Sequence, residues 1–304
     1  MTTTAVVHGG IRRRISSFFF RHDKTRRALT LSAPLLWMIV VYFISLALLL
    51  ANSVWKVDSL TGDVIREWTT RNYDTVFSGR WQTAFLERTY FVMAWRTALI
   101  AALVTLADVA FAFPIAYYAS RIATPRARSA IMIAVVIPLW ANYLIRVFAW
   151  KAIIQGGGPA EALLHVVGLS NISLIGTPIA MWITFCYLWL PYAILPIVAA
   201  LERVPSSYIE ASGDLGAHAR TTFRRVVFPL AIPGIVAGSI FTFSLTLGDY
   251  IVPDLVGKGS FLGNGIAHLN VNNRPLAATI AVVAMTIVFI YLALAKRTGA
   301  FEAL

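Results

Sequence analysis

One cysteine, five histidines and fourteen acids are all that 304 residues hold of the groups most enzymes recruit. The lone Cys186 excludes an intrachain disulfide and any C-x-x-C metal site. His8, His22, His165, His218 and His268 are scattered, and no H-E-x-x-H or G-x-S-x-G motif occurs. The stretch "VGKGS" (256–260) fails as a phosphate loop: the pattern needs Gly where Val252 stands and Ser or Thr where Gly259 stands. If ATP drives this protein, another subunit hydrolyses it. Charged residues make up only 13% of the chain, about half the share of a soluble domain. That leaves too little polar surface for water to be the solvent.

What fills the chain is apolar. Hydrophobic residues are 58% of it, with a mean hydropathy of +0.72. Six runs approach the roughly 20 residues that a membrane-spanning helix needs: 29–51, 97–120, 130–150, 174–200, 231–251 and 276–295. They lack the alternation of a β-barrel, so the fold class expected is an all-α integral membrane protein with six transmembrane helices. The first run is too long for a cleavable signal core and no A-x-A site follows it, so it reads as a retained anchor.

The formal charge of +12 fits anionic lipid rather than nucleic acid, because Lys and Arg collect on alternate loops. Seven basic residues precede the first run (Arg12 to Arg27) and Arg121, Arg126 and Arg128 fill a short loop. Arg203, Arg220, Arg224 and Arg225 lie in 202–229, and Lys296 and Arg297 follow the last run. The opposite loops carry half as many, five of them balanced by five acids in 52–90. By the positive-inside rule both termini are cytoplasmic. The organisation expected is a basic tail (1–28), a six-span domain (29–295) with an ordered external loop (52–90) and a cytoplasmic loop (202–230), and a short tail (296–304). A short amphipathic stretch, 160–167, is expected in the membrane interface.

Several residues sit badly in lipid. Asp108 falls near the middle of the second run, where a carboxylate costs about 2.5–3.5 kcal/mol on insertion scales. It should face a cavity or a partner. Arg146 and Asp249 lie near the outer ends of their runs, and two readings stay open. They neutralise each other structurally, or Asp108 and Asp249 line a path for a cationic solute, with Asn142 and the aromatic faces of Trp140, Trp150 and Tyr250. Pro114, Pro138, Pro178, Pro191, Pro196 and Pro233 mark kinks. "GIVAG" (234–238) is a small-xxx-small pair that lets helices approach closely.

The polar stretch "EASGDLGAHARTTFRRVVFPL" (210–230) interrupts this apolar chain. Ser207 to Glu210 fits a capping box, a helix should run to about Leu215, and Gly216 should end it in a left-handed conformation. A second helix over about 218–227 should stop before Pro229, with Phe223, Val226 and Val227 on one side and Arg220 and Arg224 on the other.

On these residues the chain resembles the permease subunits of bacterial ABC importers. Their coupling loop reads E-A-A-x-x-x-G-x9-I-x-L-P. Here Glu210, Ala211, Gly216 and Pro229 match, while Ser212, Val226 and Phe228 depart mildly with the spacing intact. "NYLIRVFAWKAI" (142–153), "GTPIAMWITFCYLWLPYAILPIVAALERVPSSYIEA" (176–211) and "FTFSLTLGDYIVPDLVGKGSFLGNGI" (241–266) resemble the first permease type of the spermidine/putrescine branch. The resemblance implies the type I importer permease fold, with an ATPase docking on Glu210, Ala211, Ser212, Asp214, Leu215, Gly216 and Phe223. It implies as partners a second permease, two ATP-binding subunits and an external solute-binding protein. ATP and Mg2+ would act at the ATPase, with no cofactor and no metal on this chain. The branch implies a polyamine, and relatives within it take amino-acid derivatives, aminophosphonates or opines. A stand-alone secondary transporter would need a coupling-ion site and usually an internal repeat, neither of which the sequence offers.

Overall fold

A computed structural model describes residues 23–58, 61–77, 87–166, 168, 173–257, 259 and 261–297. They divide into two units, 1–51 and 52–304. The first unit holds nearly all of helix α1 (Asp23–Ser53). Its stretch Thr30–Ser53 is apolar on every side, as a lipid-immersed cylinder is.

In the second unit, β1 (Lys56–Val57) pairs antiparallel with β2 (Val64–Ile65), Lys56 facing Ile65 and Val57 facing Val64. Gly62 closes the turn at φ +76°. Helix α2 (Arg71–Phe77) follows. This hairpin was not expected from the helical periodicity of 52–90: two-residue strands are too short to leave an alternating pattern.

The long helices come next. α3 (Glu87–Tyr117) runs into a π turn, Tyr118–Ile122. α4 (Pro125–Trp140) and α5 (Tyr143–Ile154) follow, then short α6 (Pro159–Val166), α7 (Pro178–Glu202) and α8 (Ser206–Asp214). α9 (Ala219–Thr222) passes through a second π turn, Phe223–Val227, into α10 (Phe228–Gly248). α11 (Ile251–Leu255), α12 (Leu262–Asn272) and α13 (Arg274–Lys296) complete the chain. Three of these starts share one design. Thr124, Thr177 and Asn273 each accept a hydrogen bond from an orphan N–H of the first turn, and a proline stands just inside.

Three expectations change. Pro178 begins α7 rather than kinking it. The third run, 130–150, is not one straight span: α4 and the segment Tyr143–Val166 meet at 97°. Pro138 weakens the last turn of α4, and Asn142 Oδ1 accepts from Leu144 N at 2.9 Å to start a new helix. The helix after Gly216 does not stop before Pro229. Pro229 has no N–H, so the ladder ahead of it shifts to i→i+5 bonding, Phe228 N–H to Phe223 O, and the helix carries on.

α3, α7 and α10 form the centre of this unit. α7 and α10 touch backbone to backbone. A Cβ on Gly234 would stand 2.5 Å from Ala200 Cβ and from the Pro196 carbonyl, and one on Gly238 would stand 3.0 Å from Ala193 Cα. That is the close approach the small-xxx-small pair predicts. Around it, Ala112, Ala116, Ile194, Ile197, Leu201 and Ala231 are buried together.

Candidate functional site: a two-helix loop and a buried acid

The loop 202–230 is built by capping and clamped by hydroxyls. Pro205 enters α8 in extended conformation and no side chain caps the first turn. The helix starts at Ser206 with Pro205 as its N-cap, two residues too early for the expected Ser207–Glu210 capping box. Glu210 makes no hydrogen bond among the described residues and stays exposed, so its carboxylate is available to a partner.

The far end of α8 is a Schellman turn. Gly216 sits at φ +76°. Its N–H bonds Gly213 O at 2.8 Å and the Ala217 N–H bonds Ser212 O at 3.1 Å, satisfying two orphan carbonyls. Leu215, just before the turn, is 88% exposed. Ala211, Asp214 and Gly216 are exposed beside it. An apolar side chain at the outermost point of a polar loop has no folding purpose, and covering it removes apolar surface from water.

Two contacts fix the loop to the helices. Ser212 Oγ and Thr222 Oγ1 are hydrogen-bonded at 2.9 Å, joining α8 to α9 across the turn. Ser212 stands where the importer pattern has alanine, so this bond belongs to the departure from that pattern. Ser212→Ala is expected to loosen the pair by about 1 kcal/mol and to raise amide exchange across 206–222 about fivefold. Thr222→Ala should do the same and the double variant no more. Additive effects would show that the hydroxyls act separately. Phe223 is the second contact, and it corrects an expectation. It turns inward, edge-on to Tyr117 with centroids 5.5 Å apart and to Phe113 at 5.8 Å. Phe223 therefore roots the loop on α3 instead of offering itself to a partner. Beneath it, Arg121 donates to the carbonyls of Leu201 and Val204 at the end of α7, and Arg128 pairs with Glu202.

The acids lie elsewhere. Asp108, in the C-terminal half of α3, is fully buried, and neither carboxyl oxygen has a hydrogen-bond partner of ordinary geometry. The Cys186 thiol of α7, a weak donor, stands beside it. One turn earlier, Thr242 Oγ1 of α10 donates to Thr105 Oγ1 at 3.3 Å. Thr105 and Thr242 join α3 to α10, and Ser239 and Thr246 extend this buried hydroxyl seam along α10. Asp108 thus faces the helix junction in this conformation and lines no open path.

Asp249 does not pair with Arg146 among the described residues. Its Oδ1 accepts from the N–H groups of Ile251 and Val252, both at 2.9 Å, and caps α11, while Tyr143 Oη donates to Oδ2. Tyr143 stacks on Trp189 with centroids 5.8 Å apart. Arg146, also buried, donates to the Leu188 carbonyl at 3.5 Å. Trp150 leans on Tyr187, Tyr250 is half-exposed, and Trp140 is exposed at the α4–α5 elbow that Asn142 caps. The six residues expected along a solute path therefore occupy four places: the elbow (Trp140, Asn142), the α5–α7 contact (Trp150), the α10–α11 corner (Asp249, Tyr250) and the C-terminal half of α3 (Asp108). Sequence reasoning missed Thr105, Thr242, Tyr143 and Thr222. Only the hydroxyls at 239, 242 and 246, recurring at helical spacing in an apolar run, left a readable signal.

The family described as "Binding-protein-dependent transport system inner membrane component" matches residues 15–297. The chain is 40% identical over 307 residues to the inner membrane ABC transporter permease protein YdcU of Escherichia coli (strain K12), covering 96% of this chain and 95% of that one. It is 32% identical over 199 residues to the spermidine/putrescine transport system permease protein PotB of Haemophilus influenzae, covering 64% and 69% of the two chains. With PotB of Escherichia coli (strain K12) the figures are 28% over 252 residues, 81% and 88%. Among solved structures it is similar in fold to a bacterial ABC transporter that imports alginate, with a TM-score of 0.69 at 16% identity over 93% of this chain and 99% of that one. The inward-facing MetNI methionine ABC transporter gives a TM-score of 0.57 at 19% identity, over 73% and 100%.

Proposed function

The chain belongs to the family of binding-protein-dependent transport inner-membrane components, and from that footing we propose that the solute it passes is a polyamine. Membership makes it a permease subunit of an ABC importer, multi-pass in the inner membrane and not itself an enzyme. A binding protein and an ATPase are the partners that go with this family.

The observation that carries the mechanism is the exposed two-helix loop joined without a break to α10. In our reading the loop lies in the cytoplasm, where the arginines of 202–229 place it, and the ATPase covers Leu215, Glu210 and Ala211. The full machine has a second permease and two ATPases, with ATP and Mg2+ acting at the ATPases. Their closure pulls on the loop, and α10 transmits the pull to the hydroxyl seam and to the Asp249 corner. Two conformations exchange, and nucleotide and the loaded binding protein each favour one by differential contact.

The polyamine assignment draws support from the PotB relatives and from the chemistry of the pathway residues. Asp108 and Asp249 are acids, and the half-exposed Tyr250 beside Asp249 offers an aromatic face to a cation. Asp108 would meet solute only when α3, α7 and α10 part. Asp108→Asn is expected to slow putrescine uptake by about tenfold, the loss of a charge-assisted contact. The affinity of the partner binding protein for the solute should not change. Unchanged uptake would remove Asp108 from the path. A binding screen of that partner against putrescine, spermidine, amino acids, aminophosphonates and opines tests the assignment itself. Tight binding of a polyamine is the expected result, and selective binding of an amino acid or opine replaces it.

A further inference from the structure

Two basic residues near the loop are engaged. Arg121 caps α7 and Arg128 pairs with Glu202. Arg220, Arg224 and Arg225 are different. All three are exposed, and with Thr221 they border a hollow of ≈ 590 Å³. The ion pairs among the described residues are Lys56–Glu67, Arg128–Glu202 and His268–Asp254, so none of the three arginines meets an acid. Three guanidiniums facing one hollow repel each other, an arrangement that costs free energy unless an anion joins them.

Their position says which anion. Arg220 and Arg224 are four residues apart, and the π turn carries the same helix, Ala219–Gly248, on to Phe228. Phe228 and Leu230, 42% and 41% exposed, begin its apolar surface. At about 1.5 Å of rise per residue, Arg224 lies about 6 Å along the axis from Phe228. A long arginine stem spans such a gap while its head stays in water. The guanidiniums therefore stand at the level where lipid-facing surface gives way to solvent, which is the level of the headgroups. A phosphodiester there is charged, and its two free oxygens suit the parallel N–H donors of a guanidinium. An acidic protein surface is the competing occupant. It is disfavoured because the cluster belongs to the spanning helix, while the loop's apolar tip, Leu215, lies on the preceding helix across the Gly216 turn.

The geometry points to a binding site for an anionic phospholipid headgroup, held by Arg220, Arg224 and Arg225 at the foot of α10. Because the same segment joins α9 to α10, the lipid sits on the element that connects the loop to the membrane. The inference requires a membrane-embedded chain and is independent of which solute crosses.

Native mass spectrometry of the purified full chain in mixed micelles tests it, with phosphatidylglycerol and phosphatidylcholine supplied equally. The chain should retain phosphatidylglycerol preferentially. Arg224→Gln should reduce that preference about fivefold, the contribution of one basic residue near an anionic surface. The Arg220→Gln, Arg224→Gln, Arg225→Gln triple variant should abolish it, while Arg66→Gln, Arg71→Gln and Arg274→Gln together leave it intact. Millimolar inorganic phosphate should not displace the lipid. Equal retention of the two lipids by the unaltered chain, or a preference that survives the triple variant, overturns the inference. Displacement by free phosphate reassigns the hollow to a small anion and overturns it too. A triple variant that keeps the lipid but no longer co-purifies with the ATPase shows that the arginines meet protein instead. If the triple variant does not give a monodisperse chain, Arg224→Gln alone decides.

Discussion

Gly216→Val is expected to cut co-purification of the ATP-hydrolysing subunit at least tenfold while the chain still inserts and its spans melt normally. The reason is backbone conformation alone. Gly216 is held at φ +76°, and nothing lies within 4 Å of the position a Cβ would take. The substitution therefore meets no neighbour, and its whole cost is the left-handed conformation. That cost is about 1–2 kcal/mol for an ordinary L-residue and more for a β-branched one. Valine would relieve it by unwinding the Schellman turn, and Leu215 and Glu210 would lose their common orientation. Gly216→Asn is the control, since asparagine tolerates this region, and it should bind the ATPase nearly as the parent does. For the same reason Gly216→Asp would be a weaker probe, since aspartate also visits this region. A valine variant that keeps full ATPase association would remove the loop from the docking surface.

Gly234→Leu should do the opposite: spare the loop and damage the fold. A Cβ there lies 2.5 Å from the Pro196 carbonyl, a backbone atom that cannot step aside. α7 and α10 must separate along their contact, losing dispersion on both sides. Overpacking of this kind costs about 1–3 kcal/mol for small additions, and leucine adds more than one methyl group. A cost of about 3 kcal/mol corresponds to a fall of roughly 5 °C in the melting temperature of a chain this size. Gly213→Ala, in α8 with open space around it, should leave the melting temperature unchanged. Equal melting of the Gly234→Leu variant and the parent would show that the two helices do not pack as closely as described.

The sequence carried the spans, the small-residue seam and the turn at Gly216, because each depends on residues close together in the chain. Hydrophobic length marks a helix, and a glycine in a polar break marks a left-handed cap. What it hid depends on partners far away. Asp249 and Tyr143 are 106 residues apart, so no local pattern could say that Asp249 prefers a tyrosine and two amides to Arg146. Periodicity placed Phe223, Val226 and Val227 on one side of a helix but not which side meets the rest of the protein. The aromatic partners on α3 decide that. The elbow at Trp140–Asn142 was hidden by composition, since a proline within an apolar run reads as a kinked span as readily as a broken one. The membrane family was legible in one motif and three quoted stretches, while the solute was not, because the acids that would choose it are buried or used as caps.

The helix that runs from Ala219 through the π turn to Gly248 acts as a lever. Thirty residues span about 45 Å. A tilt of about 5° imposed at the Gly216 end sweeps the other end through roughly 4 Å. That end is where Asp249 holds Tyr143 and the first turn of α11. On the coupling role proposed above, a modest rotation imposed at the Gly216 end would displace the Asp249 end far enough to break those bonds, with no intermediate relay.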